Sequence, residues 1–252
     1  MSDLRTLFPD SRYNVSLSIT NPLNVLYVYN TNITAAPNGG LCCLWTVPAN
    51  VGWAKFEVWG GGGPGGGSCC CMQGGNSGGA GSYARKTIRV TPGQTFTICA
   101  GGSTCCFSAC QAPTGFPSYA CNASATPCAL CLCASGGLGG FTQCFVALQG
   151  CYNCITCICG SACGCDFALC GATGASHNTS CGYNSWHWTA EPTYIGGGLR
   201  IGQDHCRSDC CGAWFNGCGS FPGGGGGNAV THAGGVWCGG QGVQGLVVIT
   251  YK

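Results

Sequence analysis

Apolar and polar positions alternate most clearly in two stretches of this chain. In residues 46–59 (TVPANVGWAKFEVW), Ala54, Phe56 and Val58 share one parity and Lys55 and Glu57 the other. In residues 81–102 (GSYARKTIRVTPGQTFTICAGG), Ile88 and Val90 stand against Arg89, and Phe96 and Ile98 against Thr95 and Thr97. A period of two predicts half-buried β-strands. Thr91-Pro92-Gly93-Gln94 predicts a hairpin-type turn between two of them. Residues 14–20 (NVSLSIT) and 25–30 (VLYVYN) predict two short strands around Asn21-Pro22, and residues 246–251 (LVVITY) a closing strand.

Between these strands the pattern stops, because the side chains stop. Residues 60–67 read GGGGPGGG, and glycine runs return near 74–81, 101–102, 136–140, 196–198, 223–227, 234–235 and 239–245. The spacing is uneven, which excludes a solenoid of fixed period. Without Cβ atoms, extended chains of three residues per turn can approach closely and hydrogen-bond sideways to several neighbours. The expected fold is therefore mainly β with irregular structure. Short strands flank a polyglycine-II-like bundle, the loops are long and disulfide-rich, and there is little or no helix. The scaffold glycines are Gly60, Gly61, Gly62, Gly63, Gly65, Gly66 and Gly67, with Gly223, Gly224, Gly225, Gly226 and Gly227. Ordering glycine costs roughly 1–2 kcal/mol of backbone freedom per residue, so such a bundle needs help from flanking strands, disulfides or subunit association.

Two regions are expected. Residues 1–40 contain no cysteine, and no glycine before Gly39. They read as a β-rich leader or attachment segment, or as the first two strands of the main sheet. Residues 41–252 read as a glycine-rich β domain, with cysteine-rich and aromatic insertions over 103–222.

Composition sharpens this picture. Glycine is 47 of 252 residues, against a usual ~7%. Only 6% of residues are charged and the formal net charge is +2, with no basic cluster, so nucleic acid is not an expected partner. No apolar run approaches the ~18 residues of a membrane span, and the N-terminal stretch lacks the apolar core of a secretory signal. Yet the chain has 27 cysteines. Cytosolic thiols stay reduced, so the expectation is either bound metal or disulfides formed after another route of release, such as lysis.

An odd number of thiols cannot all pair within one chain. Disulfide candidates are Cys42, Cys43, Cys69, Cys70, Cys71, Cys151, Cys154, Cys157, Cys159, Cys163, Cys165 and Cys170. Adjacent cysteines such as Cys42-Cys43 would point to opposite faces of a strand, so each could tie a different neighbour. Cys151, Cys154 and Cys157 begin like an iron–sulfur run, but the fourth ligand position falls on Ser161. They are weak metal candidates, as are the half-sites Cys128/Cys131 and Cys154/Cys157 and the loose cluster His205, Cys206, Cys210 and Cys211. No resident metal or cofactor is expected.

The wording of the glycine-rich stretches resembles a known family. TVPANVGWAKFEVWGGGGPGGG, then GGAGSYARKTIRVTPGQTFTICAGG, then GGGGGNAV and GGQGVQGLVVITYK, resemble in order and wording the glycine-rich domain of bacteriophage tail-fibre and adhesin proteins. The match covers about 41–102 and 223–251. Cys69, Cys70, Cys71 and Cys99 depart from it, standing where that family has glycine, serine or small apolar residues. The resemblance implies a virion structural or host-recognition role. The partners it implies are other virion proteins, and a host-surface glycan or protein. It also implies exposure on released particles made in the host cytoplasm. A homotrimer is common among fibre parts, although no heptad segment here supplies its signal.

The contact surface is expected in the aromatic stretch, at Tyr183, Trp186, His187, Trp188, Tyr194 and Trp214. Aromatic faces stack on sugars and bury large area at low entropic cost. The bland alternative is that these rings form their own loop's small core. Trp53 and Trp59 are expected to be structural. Catalysis has little support. The carboxylates are Asp3, Asp10, Glu57, Asp166, Glu191, Asp204 and Asp209, with no acid–base spacing. The glycine runs lack the Lys-Ser/Thr of a phosphate loop. Three readings remain: a tail-fibre or adhesin protein, a capsid- or fibre-coating virion protein without receptor contact, and a metal-binding cysteine-rich protein.

Overall fold

A computed structural model describes residues 23–29, 40–66, 77–102, 104, 113–122, 130–140, 162–171, 213–214, 219, 221–226, 230–231 and 239–252. The strands are β1 (Asn24–Val28), β2 (Leu41–Thr46), β3 (Trp53–Trp59), β4 (Tyr83–Arg89), β5 (Thr95–Ala100), β6 (Ser118–Cys121), β7 (Cys131–Ala134), β8 (Ala162–Cys163), β9 (Phe167–Leu169), β10 (Ala213–Trp214), β11 (Val230–Thr231) and β12 (Leu246–Tyr251). No helix occurs among the described residues.

Two five-stranded sheets form, in the orders β1-β12-β3-β4-β9 and β2-β5-β6-β7-β8. Every pairing in them is antiparallel. Their inner faces enclose one core. Ala54, Phe56 and Val58 of β3 meet Phe96 and Ile98 of β5, Leu132 of β7 and Val247 and Ile249 of β12, all fully buried. The parity read from the sequence therefore selects the right face of both strands. Trp45 of β2 holds the two sheets together at one side, with its ring centroid 5.7 Å from Phe56, 5.7 Å from Phe96 and 5.3 Å from Tyr251.

The Thr91–Gln94 turn is a correction to the hairpin expectation. Gln94 N–H donates to the Thr91 carbonyl at 3.0 Å, and Gly93 has φ +82°. That is the geometry of a type II turn. Type II turns splay strands, because their twist opposes that of a hairpin. Here β4 enters one sheet and β5 the other, so the turn is a corner between layers. Residues 48–51 make a second such corner from β2 to β3, with Asn50 at φ +66° and Val51 N–H bonded to the Pro48 carbonyl at 3.4 Å.

The 25–30 stretch forms β1, which pairs with β12 in register Asn24↔Tyr251 to Val28↔Val247. It is thus an edge strand of the first sheet. Residues 14–20 lie outside the described residues.

Six strands run directly into glycine segments at one end of the sandwich. β3, β5 and β7 lead outward into 60–66, 101–102 and 135–140, while 77–82, 113–117 and 239–245 lead inward to β4, β6 and β12. Segment 60–66 lies at the centre, and its N–H groups follow a rule of three. Gly60 and Gly63 donate to Ser82 (2.9 Å) and Gly79 (3.0 Å), both in 77–82. Gly62 and Gly65 donate to Val243 (2.8 Å) and Gly240 (2.8 Å), both in 239–245. Gly61 donates to Phe116 (2.8 Å), and the next position in that series is Pro64, which has no N–H to place. On the acceptor side, Gly61 and Pro64 receive Gly137 (2.9 Å) and Gly140 (2.8 Å). Three residues per turn with sideways bonding is the geometry expected of polyglycine II.

Close approach explains why the segments are glycine. A Cβ on Gly62 would meet the Gly224 carbonyl, and one on Gly63 the Leu138 carbonyl, well inside van der Waals contact. These neighbours are backbone, so they cannot swing away. Gly67 and Gly227 lie outside the described residues. In the other glycine run, Gly223 donates to Gln244 (2.9 Å), Gly224 accepts from Val243 (2.9 Å), and Gly226 donates to Gly63 (2.9 Å).

One hydroxyl joins sandwich to bundle. Ser118 Oγ donates to the Trp59 carbonyl at 2.5 Å and accepts from Gly101 N–H at 2.8 Å, fully buried. It ties the last residue of β3 to the residue that follows β5. Ser118→Ala leaves a buried carbonyl and a buried N–H without their partner. We expect it to lower the unfolding free energy by about 1–3 kcal/mol, measured by denaturant titration.

Candidate functional site

The direction of the glycine segments defines an end of the molecule. Gly63 and Gly226 are bonded to each other, three residues outward of Gly60 and Gly223, which lie near the sandwich. The chain leaves the described structure outward after Gly66, Thr104, Gly140, Gly171 and Gly226. It returns inward at Ser77, Pro113, Ala162, Gly219 and Gly239. The excursions of the 103–222 region other than the β6–β7 connection thus attach on the bundle side of the sandwich, at different levels: 141–161 returns at Ala162, opposite Ala134 of β7, and 172–218 leaves at Gly171, beside Ala80 and Gly81.

The aromatic candidates Tyr183, Trp186, His187, Trp188 and Tyr194 belong to one of these excursions and lie outside the described residues. Trp214 falls in β10, whose backbone pairs antiparallel with β11 in register Ala213↔Thr231 and Trp214↔Val230. Two separate excursions, 172–218 and 227–238, are therefore joined by backbone pairing. Trp59 is structural as expected. It is buried at the end of β3, with its ring centroid 4.8 Å from that of Tyr83.

The outer face of the first sheet carries a small polar network over an apolar patch. Tyr83 donates its hydroxyl to Glu57 Oε1 at 2.7 Å, and Lys55 Nζ lies 2.7 Å from Glu57 Oε2. Arg85 stacks over Phe167 at 5.1 Å from the ring centroid. This arrangement orients Glu57 between a hydroxyl and an ammonium, which fixes the carboxylate as an acceptor. The edge strand β1, on the far side of β12, exposes Val25 and Tyr27, and Leu23 just before it is exposed too.

The second sheet holds the described cysteine chemistry. Cys42 of β2 is bonded to Cys99 of β5, its direct cross-strand partner, with a Cα–Cα distance of 4.1 Å. The neighbouring Cys43 faces inward, packs against the core and is a thiol. Adjacent cysteines do point to opposite faces, but only one of this pair is in a disulfide. Cys163 and Cys165 are likewise thiols. The other candidates, Cys69, Cys70, Cys71, Cys151, Cys154, Cys157 and Cys159, lie outside the described residues. For Cys43 the reason is register. A disulfide needs a second cysteine opposite, and Cys43 has Ile98 there. Cys99 was not among the candidates. Its signal was the parity that puts it with Thr97 and Thr95, opposite to Ile98.

Burial pushes the Cys43 thiol pKa upward. Cys133 is also raised, first by burial, then by Cys163 and Cys131 beside it and by a hydrogen bond with Cys163. A raised thiol pKa means less thiolate, hence a weaker nucleophile and metal ligand at neutral pH. Among the described residues, no group of three His, Cys, Asp or Glu side chains converges as a metal site. Nor is any helix there long and apolar enough to cross a membrane.

The fold is a β-sandwich that extends into stacked glycine backbones, with long excursions on the same side. The chain belongs to the glycine-rich domain family, whose model matches residues 37–252. That span runs through the cysteine-rich and aromatic insertions as well as the two stretches in which the family wording is plainest. No curated protein matches the chain closely enough to serve as a relative.

Proposed function

We propose that this protein is a bacteriophage virion structural protein of the tail-fibre or adhesin type. It presents the excursions on the bundle side of its sandwich to the host surface. The observation that carries this reading is the common direction: segments 60–66, 135–140 and 223–226 all point outward, and the excursion with the aromatic stretch is attached on that side, from Gly171 beside Ala80 to Gly219 beside Gly224. A bundle held by backbone hydrogen bonds tolerates no side chains inside, but it places no constraint on the sequence beyond its end. That suits a receptor-binding tip, where loops vary on a rigid support. The partners in this reading are a host-surface glycan or protein at the tip and other virion proteins elsewhere. The exposed Leu23, Val25 and Tyr27, on and just before β1, supply apolar area for the latter. The protein acts by binding and carries no catalytic step. A disulfide such as Cys42–Cys99 suits a particle that matures after lysis of its host.

The test replaces residues 172–212 by a short Gly-Ser linker, leaving every described strand in place. Particles carrying this variant are expected to retain the protein and to lose adsorption to host cells by roughly tenfold or more, the scale of one well-packed aromatic anchor. Unchanged adsorption would remove the receptor role and favour the second reading, a coat protein cross-linked through its cysteines. The observation behind that alternative is the bonded Cys42–Cys99 pair on the outward-facing parity of the second sheet.

A further inference from the structure

We propose that the outer face of the second sheet bears two further oxidation sites, the cross-strand pairs Cys133–Cys163 and Cys121–Cys131. With Cys42–Cys99 they make a ladder of three rungs. The inference rests on strand register and stands whether or not the protein belongs to a virion.

The register places these cysteines directly opposite one another. Cys133 of β7 pairs with Cys163 of β8, and Cys121 of β6 pairs with Cys131 of β7. All four lie on one parity, because Ala120, Leu132 and Ala134 take the other and are fully buried in the core. Directly opposed residues of an antiparallel pair stand roughly 4.5–5.5 Å apart at Cα, inside the range a disulfide spans. The Cys42–Cys99 pair has the same relation and is already bonded. The Cys121 and Cys131 sulfurs lie 3.6 Å apart, and Cys133 and Cys163 are hydrogen-bonded through their thiols. Register thus brings each pair within the reach of a disulfide. The pairs cannot readily exchange members along a strand. Cys131 and Cys133 are two positions apart on one extended strand, at roughly 6.6–6.8 Å, with side chains parallel to each other.

Each pair has one exposed member from which oxidation can start. Cys163 and Cys131 are exposed, while Cys133 and Cys121 are half-buried. With a small-molecule disulfide as oxidant, the Cys163 thiolate attacks one of its sulfurs. The S–S bond of the oxidant breaks and one small thiolate leaves. A mixed disulfide remains on Cys163. Cys133 then loses its proton to solvent and attacks the Cys163 sulfur. The second small thiolate leaves, and both leaving groups are protonated. Two protein thiols have become one protein disulfide, and one small disulfide has become two thiols. The same sequence started at Cys131 closes Cys121–Cys131.

The experiment uses the full-length protein purified in reductant, exchanged into oxidised glutathione, digested without reduction and mapped by mass spectrometry. Alkylation at Cys121, Cys131, Cys133 and Cys163 is expected to fall from complete to none. Linked peptides Cys133–Cys163 and Cys121–Cys131 should appear, each lighter by two hydrogens than its separate parts. Full alkylation of these four after oxidation would overturn the proposal. So would their linkage to other cysteines. The variant Cys163→Ser, at an exposed position, should leave Cys133 open to alkylation and the Cys121–Cys131 link intact. Capture of Cys133 by a different cysteine in that variant would show that register does not choose the partner.

Discussion

Replacing Gly62 by alanine abolishes folding of the full-length chain, whereas replacing Gly52 by alanine leaves it folded and slightly more stable. The two residues lie close in sequence, on either side of β3. A Cβ at Gly52 would meet nothing within 4 Å, and its φ is not left-handed. Alanine there restricts mainly the unfolded chain, which stabilises by about 0.4–1 kcal/mol. At Gly62 the new methyl would overlap the Gly224 carbonyl and crowd the Gly225 nitrogen. Gly62 is also held from two sides: its N–H by Val243 (2.8 Å) and its carbonyl by the Thr104 hydroxyl (3.1 Å). Overpacking an ordinary core costs roughly 1–3 kcal/mol, because side chains can rotate away. Here the overlapping atoms are backbone, bonded in turn to further backbone, so relief requires separating segments. That would break several buried amide pairs, each costing about 1–3 kcal/mol when left unmade. The total reaches the whole stability of a typical domain, about 5–15 kcal/mol. Circular dichroism and denaturant titration of both variants check the contrast. A Gly62→Ala protein within 0.5 kcal/mol of the parent, the usual span of a neutral surface change, would mean that the bundle is not tightly packed.

The sequence showed the bundle more clearly than it showed the sheets around it. A glycine run has few things it can do, and the Pro64 interruption fits the three-residue period without loss. Strands β3 and β5 were legible because Ala54, Phe56, Val58, Phe96 and Ile98 face a core while Lys55, Glu57, Thr95 and Thr97 face away. What was hidden is which strand lies beside which. Thr91–Gln94 looks like a hairpin locally, and only the splay of a type II turn sends β5 into the other sheet. β1 finds its partner at residues 247–251, almost the whole chain away. β6 (SYAC) and β7 (CLCA) were missed because cysteine serves equally as core filler and as surface thiol, which erases the alternation. The same ambiguity hid the disulfide partner of Cys42. Parity assigned it a face, but only the β2–β5 register put Cys99 opposite.

Removing that disulfide has the second-largest expected effect. Cys42→Ala with Cys99→Ala should lower the unfolding free energy by about 4 kcal/mol on chain-entropy grounds. The bond closes a sequence separation of 57 residues, a loop that takes in both inter-sheet corners and the first half of the bundle. Opening it frees the unfolded chain far more than the folded one. The packing lost by the folded state is confined to the buried Cys99 sulfur, since Cys42 is exposed. The single variant Cys42→Ala should therefore cost nearly as much as the double, because either change opens the same loop. A cavity effect would instead add with each side chain removed. The local consequence falls on β2, an edge strand paired to β5 in its sheet. β2 carries Trp45, whose ring touches Phe56, Phe96 and Tyr251. Amide exchange in β2 should accelerate in the double variant while β3 and β12, at the middle of the other sheet, keep their protection up to global unfolding. A loss below about 1 kcal/mol, with β2 exchange unchanged, would mean that Trp45 packing alone fixes the edge and that the unfolded chain is already compact around it.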